Sequence, residues 1–97
     1  MSESKNYLTC KRVSFYSMKD EDIFFEWIAK IPCIKKFEGA GDELYLDLVD
    51  RELDYNDVKD LIALFYRYKI NMKQLGKLLN EKNKDAFVPW HKRIFGT

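Results

Sequence analysis

The sequence predicts a small α+β domain: a three-stranded, mostly antiparallel sheet with about three helices packed on one face, in the order β-α-β-β-α-α. Three observations predict it. Polar and apolar residues alternate on the far side of a Gly-Ala-Gly-Asp turn, which marks a hairpin over residues 33–49. Two apolar stripes at helical spacing begin just after cap-forming residues, Ser17 and Asp54. The chain of 97 residues, 46% hydrophobic and 15% aromatic, is long enough for one core and rich enough to fill it. Residues 1–97 are therefore expected to form a single domain, with residues 1–10 as a loose N-terminal tail.

The first strand is expected at residues 12–17, "RVSFYS", where Val13 and Phe15 point one way and Ser14 and Tyr16 the other. "SMKDEDIFFEWIAKIP" then reads as a helix. Ser17 caps it, Asp20 follows three residues on, and acid in the first turn suits the helix dipole. Ile23, Phe24, Trp27, Ile28 and Ile31 form its apolar stripe, and Pro32 stops it. In the hairpin, Gly39-Ala40-Gly41-Asp42 make the turn, after which Leu44, Leu46 and Leu48 alternate with Tyr45, Asp47 and Val49. A second helix is expected from Asp54, with Asp57 three residues later and Val58, Leu61, Ile62 and Phe65 facing inward. Asn71 followed by Gln74 repeats the capping pattern, so a third helix is expected to bury Leu75, Leu78 and Leu79. The tail should pack back through Phe87, Trp90, Ile94 and Phe95. So small a sheet leaves its second face, with Tyr45, Asp47 and Val49 on the third strand, in need of a cover or a partner.

Several function classes lose support at this stage. No apolar run approaches the ~18 residues of a membrane span, and "MSESKNYLTCKR" lacks the apolar stretch of a signal peptide. A cytoplasmic location is expected, with Cys10 and Cys33 as reduced thiols and Cys33 as a small buried hydrophobe. One histidine and no CxxC pair argue against zinc. His91 stands in a basic stretch with no acid beside it, and no GxSxG, P-loop or GxGxxG occurs. "DYND" lacks the glycine of a calcium loop. Neither catalysis nor a metal or cofactor is expected.

Charge is the feature that points to a function. From Glu38 to Asp60 there are 9 acids against the bases Arg51 and Lys59, a local charge of −7 in a chain whose net charge is +1. The flanks are basic, with 7 bases and 5 acids over residues 1–37 and 8 and 2 over residues 61–97. A run so little compensated repels itself, a cost that a complex with a basic partner would remove. Tyr45 and Tyr55 lie within it, and tyrosine is enriched at interface centres. The candidate contact residues are Asp42, Glu43, Tyr45, Asp47, Asp50, Glu52, Asp54, Tyr55, Asp57 and Asp60. A rival reading takes "VKDLIALFYRYKINMKQLGKLLNEKNK" as a helix-turn-helix whose basic second helix enters a nucleic-acid groove. Its second helix offers mainly lysine rather than the Arg, Asn or Gln that read base edges.

The hairpin "FEGAGDELYLDLV", the helix "DVKDLIALFYRYKI", the segment "NMKQLGKLLNEKNKDAF" and the closing "WHKRIFG" together resemble the small immunity proteins of bacterial contact-dependent growth inhibition and related polymorphic toxin systems. The likeness extends over most of residues 12–96 and rests on composition and order rather than on a catalytic signature. It implies a cytoplasmic, monomeric protein that binds a cognate toxin C-terminal domain one to one. That domain is frequently a basic nuclease, whose active site or substrate groove the immunity protein blocks. Neither nucleic acid nor membrane is an expected partner.

Overall fold

A computed structural model describes residues 7–96 and divides the chain into two compact units, which meet in sequence between Asp50 and Arg51. The class is α+β, with a three-stranded antiparallel sheet and four α-helices.

The first unit holds strand β1 (Tyr7–Lys11), helix α1 (Met18–Lys30) and strands β2 (Ile34–Ala40) and β3 (Glu43–Leu48). Its sheet has the order β1-β3-β2, every pair antiparallel. Tyr7 stands opposite Asp47, Thr9 opposite Tyr45 and Lys11 opposite Glu43, so these six share one face. Leu8, Cys10, Leu46 and Leu48 are buried on the other. The hairpin forms where the alternation places it. Gly41 takes φ 66° at the first central position of a two-residue turn, which glycine adopts without strain.

The expected strand at 12–17 is not there. Pairing begins five residues earlier, because Leu8 and Cys10 supply the inward alternation, and Arg12 at φ 52° turns the chain out of the sheet. Residues 7–10 are thus strand rather than loose tail, while residues 1–6 lie outside the described part. Val13 and Phe15 end half-buried in the connection to α1. In α1 the Ser17 hydroxyl accepts from the Asp20 N–H, as the capping pattern predicts. Phe24, Ile28 and Ile31 are buried, but Ile23 is 55% exposed and Trp27 only half-buried. Phe25 takes part instead. Its ring lies 5.2 Å from that of Phe24 and 5.5 Å from that of Phe37, on the inward face of β2.

The second unit is helical. Helix α2 (Tyr55–Arg67) starts on a complete capping box: Asp54 accepts from the Asp57 N–H, and Asp57 accepts from the Asp54 N–H. Val58, Leu61, Ile62 and Phe65 are buried as predicted, and Leu64 joins them. The expected third helix is a 3₁₀ segment, Met72–Leu78. With three residues per turn, Leu75 and Leu78 share a face and Leu79 rotates off it, which leaves Leu79 45% exposed. The same correction removes the helix-turn-helix geometry, because its recognition element needs an α-helix. The tail forms α3 (Lys84–Phe87), a 3₁₀ turn at Val88–Trp90, and α4 (His91–Phe95), closed by Gly96 in the left-handed region. Phe87 and Ile94 are buried, and Phe95 packs on Phe87 with ring centres 5.7 Å apart.

The polar stretch "NEKN", which breaks the apolar pattern in the sequence, is a clamp. Asn83 is fully buried and donates to the carbonyls of Leu53 (2.9 Å) and Leu78 (2.8 Å), while its oxygen accepts from the Asn80 N–H at 2.8 Å. Asn80 donates a second hydrogen bond to the Leu53 carbonyl at 3.1 Å. Both asparagines hold the approach to α2 against the segment before α3.

Candidate protein-binding site

The acidic run is divided between the two units. Glu38, Asp42, Glu43, Asp47 and Asp50 belong to the first unit, and Glu52, Asp54, Asp57 and Asp60 to the second. Nor is it as uncompensated as it reads in sequence, because bases outside it are brought up by the fold. Arg12 bonds Asp42 through Nε at 3.0 Å; Lys11 lies 4.0 Å from Glu43, Lys36 3.8 Å from Asp47 and Lys82 3.3 Å from Glu52. These pairs are partly or wholly in solvent, where each contributes little stability. They do weaken the self-repulsion that local charge alone suggests.

In the first unit the outward face of the sheet collects several predicted residues. Tyr7 and Tyr45 meet edge to face with centroids 6.1 Å apart, and Tyr7 is 43% exposed. The Tyr45 hydroxyl donates to Glu43 at 2.6 Å. That hydrogen bond to a carboxylate, with the carboxylate's charge, pushes the phenol up from its ordinary value, so Tyr45 is a neutral donor throughout the physiological range. Asp47 stands directly across from Tyr7, and Glu38 directly across from Tyr45. The result is an aromatic pair framed by three carboxylates. Tyr45 is one of the contact candidates named from the sequence. Tyr7 was missed because the strand that carries it lay in the stretch taken as tail. Asp42 sits at the hairpin turn, held by Arg12, and Asp50 is exposed at the end of the unit with no ion pair among the described residues.

In the second unit the predicted residues divide by role. Asp57 is only 5% exposed and internally committed, with Arg51 donating to both of its oxygens at 2.6 and 3.4 Å. Burial opposes its ionisation, but the Arg51 guanidinium and the hydrogen bonds at Asp54 outweigh it and hold the carboxyl below the usual range. Asp57 is therefore a structural acid, and its replacement by lysine would break the capping box. Asp54 caps α2 and is exposed. Tyr55 is 42% exposed, with the Lys59 ammonium 5.3 Å from its ring centre. Asp60 is half-buried, and that burial, with the charges of Asp57 and Asp54, pushes its carboxyl up. Negative potential thus persists at the start of α2 despite Arg51.

Neither Cys10 nor Cys33 forms a disulfide, and both are buried. Burial pushes the Cys10 thiol up to about 12, so it is neither a nucleophile nor a thiolate ligand near neutral pH. Among the described residues no three His, Cys, Asp or Glu side chains converge as a metal site requires, and no helix is long and apolar enough to cross a membrane. Comparison of the chain with protein-family models found no match, and neither did comparison with curated proteins or with solved structures.

Proposed function

We propose that this chain is an immunity protein: a cytoplasmic, non-enzymatic inhibitor that binds a basic toxin domain, of the nuclease kind, and blocks its active site or substrate groove. The observation that carries this reading is the half-exposed Tyr7–Tyr45 pair framed by Glu38, Glu43 and Asp47 on the outward face of the sheet. An amphipathic aromatic centre with a charged rim is the anatomy of a protein-binding surface, and the three carboxylates, two of them only loosely held by Lys11 and Lys36, favour a cationic partner. The resemblance of the hairpin and the closing segment to immunity proteins supports the same reading. The start of α2, with Tyr55 and Asp60, is a second acidic patch that a toxin could contact.

The test is a pull-down and a growth-protection assay with the toxin domain encoded beside this gene. Tyr45→Ala is expected to weaken binding by about 2 kcal/mol, as loss of an interface anchor does. Asp47→Lys is expected to slow association, most at low salt, with thermal melts showing a folded protein. Full protection by both variants would move the interface off this face.

A further inference from the structure

The opposite end of α2 carries a feature that the toxin-binding reading does not use. An open groove of about 670 Å³ is lined there by Arg67, Lys69, Lys73 and Arg93, and by no acidic residue. Its apolar part comes chiefly from Ile70, Met72 and the exposed ring of Tyr66, over which the Arg93 guanidinium lies 5.2 Å from the centroid. From these contacts we propose that the groove is a binding site for a nucleoside polyphosphate.

Cations at a helix C-terminus have an ordinary explanation in the helix dipole, and for Arg67 that explanation suffices. It does not account for Lys73, carried by the 3₁₀ segment, or for Arg93, carried by α4. Three elements (α2, the 3₁₀ segment and α4) and the turn between the first two bring four positive charges to one concavity. Lys69, Lys73 and Arg93 make no ion pair with any described residue. Like charges so placed repel, and a polyanion is the complement that relieves them.

The backbone supplies a second, independent observation. Lys69 sits at φ 59°, in the left-handed region. The Ile70 N–H bonds the Phe65 carbonyl at 2.9 Å and the Lys69 N–H bonds the Tyr66 carbonyl at 3.3 Å, which is the Schellman closure of a helix. Glycine is the usual residue at that position, because a Cβ is strained there. Here a lysine occupies it, so a cation lines the groove at a cost in local conformation. Strain retained beside a cavity is a pointer to function.

The ligand class follows from size and chemistry. The volume suits a small molecule rather than a bare phosphate. Four cations match two or three phosphoryl groups, with the arginines able to bind them bidentately. The apolar floor and the edge of Tyr66 suit a flat base.

The experiment is calorimetric titration of the full chain with ATP in magnesium-free buffer, beside inorganic tripolyphosphate and a single-stranded oligonucleotide. One ATP per chain is expected, with affinity falling as salt is raised. Lys73→Ala and Arg93→Ala should each weaken it roughly tenfold. Lys69→Gly should weaken ATP binding while raising the melting temperature, a pairing that a purely structural lysine would not produce. The proposal is overturned if ATP does not bind at millimolar concentration or if the groove variants bind like the parent. It is equally overturned if tripolyphosphate binds as tightly as ATP, because the base then contributes nothing, or if the oligonucleotide binds more tightly than ATP.

Discussion

Asp57 and Asp60 stand one helical turn apart, and their environments push them in opposite directions. Asp57 is held below the ordinary carboxylate range by Arg51 and the Asp54 backbone, against the effect of burial. Its contribution to stability is present above the unfolded value of roughly 3.9 and is lost as pH falls through the depressed folded value. Asp57→Asn should therefore cost about 2 kcal/mol in urea unfolding at pH 7, the range of a hydrogen bond to a charged group, and progressively less under acid. Equal losses at pH 7 and at pH 2 would mean that the ion pair is not the cause. Asp60 has the opposite sign. Its carboxyl is pushed up by burial and by its neighbours' charges, so ionisation costs the folded state stability as pH rises through that window. Asp60→Asn should raise the melting temperature at pH 7, and the gain should vanish under acid. In the sequence the capping spacing from Asp54 marks Asp57 out; the Arg51 ion pair that lowers its carboxyl, and the burial that raises that of Asp60, come only with the fold.

The elements that were legible are those whose signal is local. Ser17 with Asp20, and Asp54 with Asp57, announce helix starts through hydrogen bonds that span three residues, and both form. The Gly41 turn is equally local. The first strand failed because its pairing is long-range: "YLTCK" becomes a strand only against β3, some thirty-five residues away in sequence. The 3₁₀ segment failed because Leu75, Leu78 and Leu79 fit an α-helical stripe, and the choice between periods lies in packing. The asparagine clamp is not visible in the sequence, since the partner carbonyl of Leu53 lies thirty residues before Asn83. That clamp gives the test at this scale. Asn83→Ala leaves the Leu78 carbonyl and the Asn80 N–H without their partner and leaves the Leu53 carbonyl with Asn80 alone, each unmet group costing about 1–3 kcal/mol. A total loss of about 3 kcal/mol in chemical denaturation is expected. Loss under about 1 kcal/mol would mean that water replaces the amide without cost.

At the scale of the whole chain, a net charge of +1 conceals two units of opposite sign. Residues 1–50 carry 10 acids and 7 bases, residues 51–97 carry 6 acids and 10 bases, so the units stand at −3 and +4. The segment sums legible in the sequence put the boundary elsewhere, because they follow the acidic run past Asp50, where the compact units divide. The consequence is measurable near the isoelectric point, about 7.7, where a protein of evenly mixed charge passes through both kinds of ion exchanger. This chain should be held by both at low salt, through the carboxylates of the first unit on an anion exchanger and through the groove cations of the second on a cation exchanger. At ~0.01 M ionic strength the Debye length is about 30 Å, and at 0.1 M about 10 Å, so retention on both should disappear over that interval. Replacing Lys69, Lys73 and Arg93 together by serine should abolish retention on the cation exchanger and strengthen it on the anion exchanger. Passage of the parent through both columns at 0.01 M would mean that neither sign is concentrated enough to act as a patch, and would remove the electrostatic ground for steering a basic partner to this protein.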